Sequence, residues 1–241
     1  MHYIVLDRLS RQSSYLHGLD ARCKIAALIL FLVAVATTLP LGAGAVVGYA
    51  FLLAAGVLLA RLPPAWMLTR SAAVLPFTMA FATMSVVTGN IQHAVTLVAK
   101  SYLSSFAVLL VVASTPLPAL LDGFGRLGVP VILVTVIQFL YRYLFVITDE
   151  ARRMWLAAQL RGSALSRQPR SEKVAAAAGS LAVLFARSLE KAESIHLAMT
   201  ARGFSGRMPA LVHPRATAGD ALFLLALAAL LWLVRFRLGG T

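Results

Sequence analysis

The sequence predicts an all-α integral membrane protein with about five transmembrane helices and a cytoplasmic block of amphipathic helices. Three observations indicate this class. Hydrophobic residues make up 60% of the 241 residues and charged residues only 13%, whereas soluble domains are roughly 45–50% apolar and about 25% charged. The apolar residues form runs of about the length that crosses a bilayer. The excess of basic residues, a formal net charge of +13, is concentrated between those runs, as in cytoplasmic loops.

The first four apolar runs predict an N-terminal membrane region, residues 1–113, with its N-terminus in the cytoplasm. The runs cover residues 25–39, 46–60, 72–88 and 94–113. Arg8, Arg11, Arg22 and Lys24 precede the first run, and basic residues close to a span stay on the cytoplasmic side. The loop 61–70 is basic, while the loops 40–44 and 88–93 contain no lysine or arginine. Four crossings therefore return the chain to the cytoplasm at residue 114.

Residues 114–215 are predicted to be a cytoplasmic block, because residues 149–215 contain 11 Lys or Arg and 5 Asp or Glu. The block begins with a short amphipathic helix that is closed by Gly128 and Pro130. Its apolar residues at helical spacing are Leu120, Leu121, Phe124 and Leu127.

The next run, residues 131–148, is apolar enough to span, but a crossing here would place the basic segment outside. Gln138, Tyr141, Arg142 and Tyr143 interrupt this run. We therefore interpret residues 131–162 as one long helix that lies along, or slants through, the inner membrane interface. Whether residues 131–148 cross the membrane stays open at this point.

A second long helix is predicted to start near Ser171 and to end at Gly203, Gly206 and Pro209. It carries one apolar stripe at helical spacing. The stripe consists of Leu181, Leu184, Phe185, Leu189, Ala192, His196 and Met199. The remaining region, residues 216–241, contains a fifth predicted span at residues 221–234.

No pattern of a catalytic, cofactor-binding or metal-binding site occurs in the sequence. It contains no phosphate-binding loop, no His-Glu-x-x-His and no Gly-x-Ser-x-Gly. The five histidines are scattered without a pair at helical spacing, and the single cysteine excludes an internal disulfide. Because the basic residues lie in loops between apolar runs, nucleic-acid binding is not expected. We expect a protein that is not an enzyme and that binds no metal or cofactor itself.

Two short motifs are the candidate functional residues: Arg161-Gly162 and Ala201-Arg202-Gly203. Each arginine is at the predicted end of an amphipathic helix, and each glycine can end that helix in a left-handed turn. Singly, either arginine could merely complement the helix dipole, worth roughly 0.3–1 kcal/mol. Together, two such arginines in one cytoplasmic block indicate paired contacts with carboxylates on a dimeric partner.

Four segments resemble the transmembrane coupling (T) component of energy-coupling factor (ECF) transporters, and the resemblance covers nearly the whole chain. HGLDARCK at 17–24 is similar to the family's H-x-L-D-P-R-x-K, and STPLPALLDGFGRLGVP at 114–130 to its T-T-P-x-x-L…L-x-x-L-G-x-P. YRYLFVITDEARRMWLAAQLRG at 141–162 is similar to R-F-x-P-x-L-x-x-E-x…A-R-G, and MTARGF at 199–204 carries a second Ala-Arg-Gly. Ala21 stands where proline is common in the family, the proline expected after the Arg-Phe pair is missing after Arg142 and Tyr143, and Leu160 replaces the first alanine. None of these differences removes either arginine.

The opening VLDRLS and the chain length are most similar to the CbiQ subgroup, the T component of cobalt transporters. The resemblance implies a non-catalytic, multi-pass subunit of an ATP-driven importer in the bacterial inner membrane. Two cytoplasmic ABC-type ATPases, which bind the ATP, would contact the two arginine motifs. A membrane-embedded, substrate-binding S component would contact the block of coupling helices. The alternatives are the T component of a vitamin transporter, for biotin or another vitamin, and a stand-alone secondary transporter.

Overall fold

The computed structural model describes residues 18–38, 43–160, 170–204, 206 and 218–238, which form helices and their connections. No strand occurs in these ranges, which confirms the all-α prediction. The helices are α1 (Ala21–Thr37), α2 (Ala43–Ala60), α3 (Pro64–Ser71), α4 (Leu75–Val87), α5 (Ile91–Ser114), α6 (Leu117–Arg126), α7 (Val131–Leu160), α8 (Arg170–Ala201) and α9 (Ala218–Leu233). A 3₁₀ turn at Ala72–Val74 joins α3 to α4, and a π-helical turn at Val234–Leu238 extends α9.

Several helices are long and apolar enough to cross a membrane, so the chain is a multi-pass membrane protein. Four stretches meet this condition by length and composition: Pro64–Val87, Ile91–Ser114, Val131–Leu160 and Ala218–Phe236. Gly44–Ala60 is a shorter apolar helix. The loop predicted at 61–70 is helical from Pro64 onward, because a proline fits the first turn of a helix without the loss of a hydrogen bond.

Residues 131–160 form one continuous helix of 30 residues. This confirms the predicted long helix as far as Leu160, since residues 161–169 lie outside the described ranges. Although the sequence makes 131–148 the poorest of the predicted spans, α7 has the length and composition of a crossing helix.

The chain divides into two compact units, one formed by Met1–Gly128 with Val212–Thr241 and the other by Val129–Leu211. In the first unit, α1, α2, α5 and α9 supply a core that includes Phe31, Tyr49, Leu53, Leu110 and Leu231. Tyr49 is fully buried, and its hydroxyl lies 2.8 Å from that of Thr38. This pairing avoids the cost of an unpaired polar group in an apolar interior. The Phe31 ring packs edge-to-face on Tyr49 at 5.7 Å.

The short amphipathic helix α6 packs on α1 within the first unit. Gly123 makes this close approach possible, because a Cβ at this position would lie only 3.2 Å from the Cβ of Ala21 and 3.1 Å from Ile25 Cδ1. Leu120 and Leu121 are buried, as their spacing predicted, whereas Phe124 and Leu127 are exposed.

The second unit contains α7 and α8, which run antiparallel. The Arg187 guanidinium on α8 forms an ion pair with Glu150 on α7. Near one end of the pair Phe139 contacts Phe204, and near the other end Trp155 and Ala158 lie opposite Ala176 and Ala177.

Candidate functional site

The second arginine motif forms the end of α8. Ala201 is the last helical residue, and Gly203 has φ of 77°, in the left-handed region. The amide of Gly203 donates to the Thr200 carbonyl at 3.0 Å, and the amide of Phe204 donates to the Met199 carbonyl at 3.0 Å. This pair of hydrogen bonds is a Schellman motif. The predicted glycine-terminated helix end is thus confirmed at Gly203.

Arg202 is exposed at this helix end and forms no ion pair with a described residue. Its planar guanidinium carries donors in a rigid fork that matches a carboxylate in two-pronged geometry. The helix end therefore presents an arginine to which a carboxylate of another molecule can pair. The contribution of Arg202 to such a contact stays a prediction.

The first motif, Arg161-Gly162, lies outside the described residues. The structure describes the helix that leads to it, since α7 continues to Leu160, and Leu160 itself is exposed. That both arginine motifs contact the same dimeric partner therefore stays a prediction.

An aromatic contact follows the second motif. The Phe204 ring lies 6.2 Å from the Phe139 ring of α7 at an interplanar angle of 75°. Phe139 in turn stacks against Tyr143, one turn along α7, at 6.2 Å. Phe204 is not among the functional residues predicted from the sequence. The available signal was its position one residue after the capping glycine, where an apolar residue commonly packs against the helix end or a neighbour.

The apolar stripe predicted on α8 is only partly covered by α7. Leu184 and Met199 are half-buried and line grooves between the two helices. Leu181, Phe185 and Leu189 remain exposed, with 64%, 71% and 53% of their surface accessible. His196, which shares the stripe, is also exposed. Contiguous exposed apolar residues of this kind mark a surface that contacts a membrane or a partner protein.

A buried polar cluster in the first unit connects two of the quoted sequence segments. We call it the Lys24 cluster; it comprises Asp20, Lys24, Ser114, Thr115 and Asp220. The Lys24 ammonium donates to the Ser114 carbonyl at 3.2 Å and to the Thr115 hydroxyl at 3.0 Å. The Asp20 amide donates to Asp220 Oδ1 at 3.4 Å. All five residues are at most 5% exposed.

The Lys24 cluster brings three helix ends to one place: the start of α1, the end of α5 and the start of α9. Asp20 is the N-cap of α1, and its carboxylate accepts a hydrogen bond from the Arg22 amide. Asp220 lies in the first turn of α9. Since a bilayer core is about 30 Å thick, helix ends that share direct hydrogen bonds lie on the same side of the membrane.

Comparison with known proteins covers nearly the whole chain. The model of the CbiQ family, described as cobalt transport protein, matches residues 12–213. The chain is 28% identical over 260 residues to an energy-coupling factor transporter transmembrane protein, EcfT, of Acidaminococcus fermentans, with 97% of both chains covered. It is 28% identical over 217 residues to the cobalt transport protein CbiQ of Rhodobacter capsulatus, with 86% of both covered. An uncharacterised protein of Methanocaldococcus jannaschii is 30% identical over 105 residues, covering 44% of this chain and 38% of that protein.

Proposed function

The chain belongs to the CbiQ family of cobalt transport proteins, which are membrane components of transporters, and we propose that it is the transmembrane coupling subunit of an ECF-type ABC importer. It links ATP hydrolysis by two cytoplasmic ATPases to movement of a substrate-binding S component, and the transported ion is cobalt. The observation that carries this proposal is the exposed Arg202 on a glycine-terminated helix end. The subunit itself is non-catalytic and binds no cofactor, because ATP is bound by its partners.

The ATPase contact uses Arg202 and Arg161. Each guanidinium pairs with acidic residues that line a groove on one ATPase subunit. The rigid Schellman turn at Gly203 supports this assignment, because a fixed helix end holds the arginine in one place while the partner approaches. Two such helix ends on one subunit fit a dimeric partner with two equivalent grooves.

The S component contacts the exposed apolar face of α8, which consists of Leu181, Phe185 and Leu189. A membrane-embedded partner has apolar surface of its own, so this contact removes exposed apolar area on both sides. The ATPase and the S component thus bind different parts of the same helix, and a displacement of the arginine end is transmitted along α8.

We propose that the N-terminus and both long helices lie on the cytoplasmic side of the inner membrane. The Lys24 cluster supports this, because the end of α5 and the start of α9 lie on the same side and the chain between them crosses an even number of times. If α7 crossed, α8 would also have to cross. Four charged residues fall within two turns of α8, at Arg187, Glu190, Lys191 and Glu193, and charges at that depth are costly. We therefore place α7 along the inner interface.

Cysteine labelling tests this topology. In a Cys23→Ala background, Ser166→Cys should react with a membrane-impermeant maleimide only in inside-out vesicles. Gln92→Cys, exposed in the first turn of α5 at the end that is predicted to face out, is the matched control and should react only in right-side-out vesicles. Labelling of Ser166→Cys from the outside would show that the segment between α7 and α8 has crossed the membrane.

Reconstitution tests the function. The chain, its S component and its two ATPases are purified as a complex and placed in proteoliposomes, and uptake of radioactive cobalt is measured with and without internal ATP. We expect uptake that depends on ATP and on all components, and no ATP hydrolysis by this chain alone. If the proteoliposomes take up a vitamin and not cobalt, the coupling function stands and the proposed substrate is wrong. Failure of the chain to associate with any ATPase would overturn the proposal.

A further inference from the structure

The direction of the Arg202 side chain depends on the residues that fix the end of α8. Arg202 follows the last helical residue, and Gly203 then reverses the chain in the left-handed region. Arg202 and Gly203 are both exposed, whereas Phe204 is half-buried. Phe204 is therefore the first residue after the motif whose side chain packs against another element.

Phe204 contacts both long helices. Its amide donates to the Met199 carbonyl of α8 at 3.0 Å, and its ring packs edge-to-face on Phe139 of α7. Because the backbone bond and the ring contact are made by one residue, the turn that carries Arg202 is fixed relative to α7 as well as to its own helix.

The neighbouring contact between the helices is loose. A groove of about 240 Å³ separates this part of α8 from α7 and is lined by Phe139, Tyr143 and Met199 among others. Side chains that line an open groove make fewer contacts with the facing helix than closely packed side chains would make. The edge-to-face pair of Phe139 with Phe204 is a direct contact between this helix end and α7 beside that groove.

We infer that Phe139 and Phe204 are positioning residues for Arg202: their contact holds the end of α8 against α7, so that the guanidinium is presented to the ATPase in a fixed orientation. This inference deepens the proposed function and rests on it. Without the ring contact the helix end becomes mobile relative to α7, and ordering it on binding costs affinity.

The test is a set of binding measurements between the ATPase dimer and the chain in nanodiscs. Phe204→Ala and Phe139→Ala should each weaken binding by about 3- to 10-fold, which corresponds to the usual strength of an aromatic pair. Phe204→Tyr, which retains the ring, should restore binding to within about twofold of the parent. Leu197→Ala is the control, since Leu197 is an apolar residue near the same end of α8 and is 69% exposed; it should bind like the parent.

A double change separates positioning from a general effect on folding. If Phe204 acts through the arginine, Phe204→Ala should add almost nothing to the loss that Arg202→Ala causes, because coupled residues are not additive. Additive losses, or parental binding by Phe204→Ala, would overturn the inference while leaving the ATPase contact intact. Parental binding by Arg202→Ala would instead remove the proposed contact itself and the positioning inference with it.

Discussion

Replacing Lys24 by methionine is expected to lower the free energy of unfolding by about 3–5 kcal/mol, since it removes two buried hydrogen bonds from a charged donor, each worth about 1.5–3 kcal/mol. The ammonium supplies two hydrogen bonds to the corner between α5 and α6, at Ser114 and Thr115. Asp20 and Asp220 interact with it electrostatically from the start of α1 and of α9. Methionine preserves most of the length of the side chain, so little cavity is formed. The loss of unfolding free energy therefore measures mainly the charge and its hydrogen bonds. For a chain of this size the melting temperature should fall by roughly 6–20 °C.

Thermal unfolding in detergent measures this effect, and two further variants define its cause. Combining Lys24→Met with Asp220→Asn should recover part of the loss, because Asp220 attracts the Lys24 ammonium and its charge is less well compensated once that ammonium is gone. Lys100→Met is the control, since the Lys100 ammonium donates to a single carbonyl, that of Ala36, at a more exposed position; it should lower the melting temperature far less. Equal losses for Lys24→Met and Lys100→Met would show that the Lys24 cluster contributes no special stability.

Features that depend on a few neighbouring residues could be predicted from the sequence. The left-handed turn at Gly203 is one, because only the conformational freedom of glycine and the end of the apolar periodicity were needed. The burial of Leu120 and Leu121 is another, since their spacing places both on one face of a helix. Phe124 and Leu127 have the same spacing but are exposed. The sequence shows which residues share a face, but it does not show how much of that face a neighbouring helix covers.

Features that depend on distant parts of the chain could not be predicted in this way. The Lys24 cluster joins residues 90 and 200 positions apart, and nothing local indicates that Lys24 is buried. The spacing on α8 likewise predicted one apolar stripe, but did not reveal that Phe185 is exposed while Leu184 lines a groove. For α7, local composition was insufficient even to separate a crossing helix from an interfacial one. Our proposal that α7 is interfacial rests instead on the contacts among α1, α5 and α9.

Changing both Arg161 and Arg202 to alanine is expected to abolish ATP-dependent uptake and to prevent co-purification of the ATPases. In a partly desolvated contact, removal of one partner leaves the other charge unpaired, at a cost of roughly 2–5 kcal/mol. A single change should therefore slow uptake and weaken the complex but leave it detectable, because the second arginine still anchors the dimer. Loss of both removes a bivalent attachment, in which each contact raises the effective concentration of the other.

The nature of the substitution separates a two-pronged contact from simple charge attraction. Lysine at either position should restore little, since an ammonium cannot form two parallel hydrogen bonds with a carboxylate. Arg167→Ala, which removes a basic residue between the two helices and retains both motifs, is the control and should transport like the parent. Uptake into proteoliposomes and co-purification should be measured on the same preparations, so that weak assembly is distinguished from an assembled but uncoupled complex. If the double variant assembles and transports normally, both arginines only complement their helix dipoles, at roughly 0.3–1 kcal/mol each, and the ATPase contact lies on another surface.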